Sequence, residues 1–73
     1  MHVATVHAEM TAMVWKLTVA EGDTVENGDT IAVLESMKME IPVEATSAGT
    51  VRLLVAEGDD VAEGDVIAEI DGS

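Results

Sequence analysis

Residues 20–36 read AEGDTVENGDTIAVLES, and residues 56–72 read AEGDDVAEGDVIAEIDG. These stretches form a gapless internal repeat at an offset of 36 residues, with nine identical positions among 17. The similarity continues upstream in three further pairs, Lys16 and Arg52, Leu17 and Leu53, and Val19 and Val55. An internal repeat of this kind predicts one domain, residues 1–73, built from two equivalent halves related by a pseudo-two-fold axis.

Each half alternates apolar and polar residues before it reaches its first glycine. Such a period of two indicates a strand with one buried face. We therefore expect these apolar residues to face the core, with the single aromatic residue, Trp15, acting as a packing residue. The positions are Met13, Trp15, Leu17 and Val19 in the first half, and Val51, Leu53 and Val55 in the second.

Each half also contains two Gly-Asp pairs, which are typical of tight turns because glycine tolerates positive φ and aspartate can bond the following backbone. Between the pairs lies a brief segment around Val25 or Val61, and after them comes another strand, Thr30 to Glu35 or Val66 to Ile70. No stretch of useful length has apolar residues at the spacing of a helix. The sequence therefore predicts an all-β fold of about eight short strands, a flattened barrel or sandwich of two four-stranded antiparallel sheets.

The charge and composition exclude several classes of protein. Fifteen acidic residues against three basic ones give a formal charge of −12, which argues against binding to nucleic acid or to an anionic membrane surface and favours a monomer. The absence of cysteine excludes disulfides and thiolate metal sites, and together with the lack of a targeting segment it favours the cytoplasm. The four Gly-Asp aspartates lack the dense alternating acids of a calcium loop, so we predict no metal site.

The segment Met37-Lys38-Met39 lies between two apolar runs and outside the repeated residues. The pattern predicts a β-hairpin with Lys38 at its tip. Large apolar side chains at an exposed turn need a reason, and recognition by another protein is one. The counterpart of this hairpin in the repeat is the pair of chain termini, so we expect the termini to lie together, opposite Lys38.

The segment Glu35-Ser36-Met37-Lys38-Met39 resembles the attachment signature of biotinyl domains, in which alanine or serine precedes Met-Lys-Met. The resemblance covers nearly the whole chain. Residues 8–14 stand where the family usually has an Ala-Pro-Met-Pro-Gly opening, with Glu9 and Ala12 replacing a proline and the glycine, and residues 48–51 followed by Gly58-Asp59 fit its second half. The resemblance implies the biotinyl/lipoyl hammerhead fold. Because the first half has no extra residues relative to the second over the aligned stretch, we expect no thumb loop over the cofactor.

The resemblance also implies a function. A biotin ligase would attach biotin covalently to Lys38, reading Glu35, Ser36, Met37 and Met39 on the folded hairpin. The domain would then carry a carboxyl group from the biotin carboxylase component to the carboxyltransferase component of a biotin-dependent carboxylase of the acyl-CoA type. It would have no catalytic residue of its own and would act as a non-catalytic carrier.

Two alternatives remain open at this point. A lipoyl carrier is similar in fold and repeat, but lipoyl domains typically place aspartate before the lysine and alanine after it, whereas methionine flanks Lys38 on both sides. An unmodified acidic β-module that only binds a partner is the other alternative. The mass gained after co-expression with a biotin ligase distinguishes the three.

Overall fold

The computed structural model describes residues 2–72, and this part of the chain forms eight short strands. The prediction of eight strands is confirmed, including the two-residue strands around Val25 and Val61. In chain order the strands are β1 Val3–His7, β2 Ala12–Leu17, β3 Thr24–Val25, β4 Thr30–Ser36, β5 Met39–Glu44, β6 Gly49–Leu53, β7 Asp60–Val61 and β8 Val66–Asp71.

The strands form two four-stranded sheets in which every pairing is antiparallel. The sheet that holds the predicted lysine hairpin has the order β5-β4-β2-β7 and is called the lysine sheet below. The other has the order β1-β8-β6-β3 and is called the terminal sheet. Since β1 to β4 are equivalent to β5 to β8, a pseudo-two-fold axis exchanges the two sheets, as predicted.

The core is equally symmetric. The six largest fully buried side chains form three equivalent pairs, Ile31 with Ile67, Leu34 with Ile70, and Val14 with Val51. None of the buried side chains in residues 2–72 is polar or charged. The two halves therefore share one aliphatic core, which neither half could close by itself.

The Gly-Asp pairs form four equivalent turns, as predicted. In each, the aspartate carboxylate accepts a hydrogen bond from the backbone N–H three residues earlier, at 2.8–2.9 Å, and not from the following backbone as we expected. The glycine before each aspartate has a φ of 88–96°, where other residues are strained. Within residues 2–72, no group of three or more His, Asp or Glu side chains is placed to hold a metal ion. The donor and acceptor pairs are Ala20 and Asp23, Glu26 and Asp29, Ala56 and Asp59, and Ala62 and Asp65.

Two reciprocal hydrogen bonds fasten one half to the other. The backbone N–H of Leu53 donates to the Glu21 carboxylate at 2.7 Å, and that of Leu17 donates to the Glu57 carboxylate at 3.0 Å. Each glutamate belongs to the Ala-Glu-Gly-Asp segment of one half and closes the end of a strand in the other. The acidic residues of the repeat thus have structural roles as well as a charge.

The prediction that Trp15 faces the core is wrong, because β2 contains a β-bulge. The register with β4 runs from Val14 opposite Leu34 directly to Lys16 opposite Val33, so Trp15 has no partner. Its side chain is 46% exposed, and Met13 is only partly buried. Ala12 and Val14 take the buried positions instead.

The bulge also explains the error, since it is a one-residue insertion in the first half. Downstream of it the offset between equivalent positions is 36, as for Leu17 and Leu53. Upstream it is 37, so the counterpart of buried Val51 is Val14 rather than Trp15. The equivalent strand β6 pairs with β8 without a register shift.

The two β2–β3 and β6–β7 connections have equal length, residues 18–23 and 54–59, so the predicted absence of a thumb insertion is confirmed.

At the counterpart of the lysine hairpin, the Gly72 N–H donates to the His2 carbonyl at 2.8 Å. The chain ends therefore approach each other as predicted, although Met1 and Ser73 themselves lie outside the described residues. Nowhere in residues 2–72 is there a helix long and apolar enough to cross a membrane.

Candidate functional site

The predicted attachment residue lies at the tip of the β4–β5 hairpin. Ser36 pairs with Met39, which leaves Met37 and Lys38 as the only two residues of the turn. A two-residue hairpin loop fixes the strand register and projects both of its side chains away from the sheet. All five predicted site residues, Glu35 to Met39, are therefore brought together at one end of the lysine sheet.

The backbone of this turn is strained. Met37 has a φ of 52° and Lys38 a φ of 69°, and they are the only non-glycine residues with positive φ in the described chain. Two consecutive positive φ values are the pattern of a type I′ turn, which normally selects Asn-Gly. A left-handed conformation costs roughly 1–2 kcal/mol for an ordinary residue. The core and the strand pairing must supply this energy, which is typical of backbone strain at functional sites.

The side chains of the turn are available to another protein. Met37 is 92% exposed, Met39 is 62% exposed and Lys38 is exposed, while Glu35 and Ser36 are partly buried. Within the part of the chain that the structure describes, Lys38 makes no hydrogen bond or ion pair. Its amine is therefore free to enter the active site of a modifying enzyme.

The charge around the turn is not neutralised locally. Glu35 and Glu40 lie directly opposite each other across the hairpin. Like charges in this position destabilise a sheet by a few tenths of a kcal/mol to about 1 kcal/mol. Counting outward along both strands from a two-residue turn at Met37-Lys38 places Glu40 opposite Glu35, so this pair of acidic residues is predictable from the sequence.

The arrangement fits covalent attachment of a carboxylic acid cofactor. A lysine amine, when neutral, is a nucleophile toward an activated acyl group, and amide formation removes its charge. The amine is solvent-exposed, and the equal β2–β3 and β6–β7 connections leave no loop to cover it. Histidine is absent from the hairpin, and His7 is engaged elsewhere, with Nδ1 3.3 Å from the Gly64 carbonyl and Nε2 2.8 Å from the Thr5 hydroxyl.

Replacing Met37 with asparagine should stabilise the domain. Asparagine adopts positive φ more readily than methionine, and Met37 loses no packing because it is 92% exposed. We expect the free energy of unfolding in urea to rise by about 0.5–1 kcal/mol. Met39→Asn is the matched control, because Met39 lies in β5 with an ordinary φ and should give no gain. An equal effect of the two substitutions would show that strain at residue 37 is not what the asparagine relieves.

Comparisons with known proteins identify the family of the chain. Residues 2–70 match the model of the biotin/lipoyl family, described as "Biotin-requiring enzyme". A biotin/lipoyl attachment protein of Bacillus subtilis strain 168 is 48% identical over 48 residues, which is 66% of this chain and 66% of that protein. A homologue of biotinylated protein TB7.3 from Mycobacterium leprae is 54% identical over 46 residues, 63% of this chain and 65% of that one.

A solved structure is similar over nearly the whole chain. The urea carboxylase of Kluyveromyces lactis superposes with a TM-score of 0.89 at 39% identity, and the match covers 96% of this chain but 6% of the carboxylase. The matched stretches thus span just under two thirds of the two curated relatives and a small part of the enzyme. Because the family model covers almost every described residue, the chain belongs to the biotin/lipoyl family of biotin-requiring enzymes.

Proposed function

We propose that this chain is a biotin carrier and that Lys38 holds biotin through an amide bond. The observation that carries the proposal is the exposed, unpaired Lys38 amine on a strained two-residue turn, flanked by exposed methionines. The names of the B. subtilis and M. leprae relatives, an attachment protein and a biotinylated protein, support it.

Attachment requires an enzyme, because the hairpin offers the nucleophile but nothing to activate the acid. A biotin ligase would present biotin as its acyl-adenylate. The Lys38 Nζ attacks the carboxyl carbon, the amide bond forms, adenylate leaves and the amine proton passes to a ligase base or to solvent. Met37 and Met39 give the ligase apolar contacts on each side of the lysine, while Glu35 and Ser36 give it polar contacts at the end of β4.

The role of the loaded domain is transport between active sites. Bound biotin supplies the group that accepts and releases a carboxyl group, and the protein keeps it at high local concentration beside a biotin carboxylase and a carboxyltransferase. We propose an acyl-coenzyme A carboxylase as the enzyme served, with the domain itself non-catalytic. The formal charge of −12 would steer the carrier toward any basic surface on those enzymes.

The experiment is incubation of the purified chain with a biotin ligase, biotin and ATP, followed by intact-mass measurement and peptide mapping. We expect one biotin-sized mass gain, located on the peptide that contains Lys38. No gain would contradict a biotin carrier and leave the unmodified module. A lipoyl-sized gain with a lipoate ligase and none with the biotin ligase would favour the lipoyl carrier.

The substrate class is tested separately. The biotinylated chain is mixed with purified biotin carboxylase, carboxyltransferase, bicarbonate and ATP, and carboxylation of acetyl- and propionyl-coenzyme A is compared with that of urea. We expect an acyl-coenzyme A product. Carboxylation of urea alone would contradict the proposed substrate class while leaving the carrier role intact.

A further inference from the structure

The bulge in β2 exposes the only tryptophan of the chain. Trp15 is 46% exposed, and its neighbour Lys16 is exposed as well, whereas Leu17 returns to the core. A β-bulge of this kind allows two consecutive residues to face outward and re-aims a side chain. A large aromatic side chain on the surface of a protein this acidic marks a candidate contact for a partner.

The pseudo-symmetry supplies an internal comparison for this surface. Across the lysine sheet, the outward-facing row next to the bulge is Lys16, Val33 and Pro42. The equivalent row of the terminal sheet is Arg52, Glu69 and Thr5, and its strand β6, the counterpart of β2, pairs with β8 without a register shift. Both rows contain one basic residue, but the lysine sheet has valine and proline where the terminal sheet has glutamate and threonine. The fold itself therefore does not require these two apolar residues.

The apolar residues form one surface, called the outer patch below, which consists of Met13, Trp15, Val33 and Pro42. Three acidic residues lie on the same outer face. Glu40 and Glu44 stand on either side of Pro42 along β5, and Glu35 lies between Met13 and Glu40 across the sheet. An apolar centre with an acidic rim is complementary to an apolar surface bordered by lysine or arginine.

We propose that the outer patch is the docking surface for the biotin ligase, with Trp15 as its anchor. This inference rests on the proposed function. Trp15 lies beside Val33 and Leu34, four to five residues from Lys38, or about 15 Å along the strand. A standard interface of about 800 Å² per partner extends roughly 16 Å from its centre. A ligase centred on Lys38 therefore reaches the outer patch.

The ligase fits this surface better than the carboxylase components do. The ligase must bring its active site to the Lys38 amine itself, so its surface comes within one lysine side chain of the turn. The carboxylase components meet biotin at the far end of the same side chain and are held further from the sheet. Close approach is what would bury Trp15, and buried tryptophan is the residue type that most often dominates an interface.

The test is the kinetics of biotinylation of Trp15→Ala. We expect the KM for the carrier to rise about tenfold, because an anchor tryptophan contributes strongly to binding, with kcat little changed. Leu54→Ala is the matched control: Leu54 is 49% exposed and apolar but lies outside the outer patch, next to β6, and should leave KM unchanged. Added salt should raise the KM of the wild type, since the acidic rim acts through charge.

A second variant tests the outer patch in case Trp15→Ala misfolds. Pro42→Thr installs the residue that the terminal sheet carries at the equivalent position, Thr5, so the fold is known to accept it, and we expect KM to rise. A direct readout is 5-fluorotryptophan, which gives a single ¹⁹F resonance because the chain has one tryptophan. The resonance should shift when unlabelled ligase is added to the unreactive Lys38→Arg carrier.

The outcomes separate this inference from the carrier proposal. Biotinylation of Trp15→Ala with wild-type KM, or a ¹⁹F resonance that moves with carboxylase components but not with ligase, would overturn the docking surface while leaving Lys38 as the attachment site. A concentration-dependent ¹⁹F shift without any partner would assign the patch to self-association and also overturn it. Absence of biotin on the wild type would instead refute the carrier role.

Discussion

Lys38→Arg should abolish biotin attachment without weakening the fold. Arginine keeps the charge and much of the length of lysine, but its guanidinium stays protonated in proteins and cannot act as the acyl acceptor. We expect no biotin-sized mass gain after incubation with ligase. Because the side chain is exposed and unpaired, the free energy of unfolding should stay within about 0.5 kcal/mol of the wild-type value.

Lys16→Arg provides the matched control, since Lys16 is the only other lysine and is also exposed. It should be biotinylated to the same extent as the wild type. Biotin on the Lys38→Arg variant would place the attachment elsewhere. Loss of biotin from both variants together would point to a general effect on the fold, which the unfolding measurement would reveal.

Most of the fold was predictable because the repeat and the turns are local signals. Alternation predicted the strands and each Gly-Asp pair predicted a turn, although the aspartate carboxylate bonds the backbone before it rather than after it. The direction of the Trp15 side chain was not predicted correctly. A single inserted residue reverses the facing of every residue upstream of it, and the gapless match between residues 20–36 and 56–72 lies entirely downstream.

The change of offset is nevertheless visible in the sequence. Residues 3–8 align with residues 40–45 at an offset of 37, with valine at positions 6 and 43 and alanine at 8 and 45. Combining this match with the offset of 36 downstream requires one extra residue between Ala8 and Lys16. Only the strand register places it at Trp15, because the bulge position depends on pairing with β4.

The site divides in the same way. Its candidate residues, Glu35 to Met39, were predicted from their order along the chain. Their backbone conformation was not, because Met-Lys has no preference for a type I′ turn and adopts one only where Ser36 and Met39 are forced to pair. The cost is imposed by tertiary structure, so no local pattern predicts it. A short peptide that contains the lysine would not adopt this turn conformation. A ligase that recognises the turn would therefore require the folded domain.

Gly49→Ala should be the most destabilising single-methyl addition in the chain. A Cβ at residue 49 would overlap the backbone carbonyl oxygen of Asp71 and lie 2.7 Å from its carbonyl carbon. Asp71 pairs with both Val3 and Thr50, so its backbone cannot move away from residue 49 without breaking the pairing of the terminal sheet. We expect a loss of about 3 kcal/mol from the free energy of unfolding in urea. In a domain this small, that is a large part of the total.

Two comparisons isolate the backbone clash as the cause. Gly28→Ala has a φ of 96° but open space around the new Cβ, so it should cost only the roughly 1–2 kcal/mol of a left-handed residue. The counterpart of Gly49 in the first half is Ala12, where the family usually has glycine. Ala12 is buried and has no positive φ, so the first half accommodates a Cβ at the equivalent position. A Gly49→Ala loss no larger than that of Gly28→Ala would mean that β6 and β8 can separate at Asp71, and that the terminal sheet is looser than its pairing indicates.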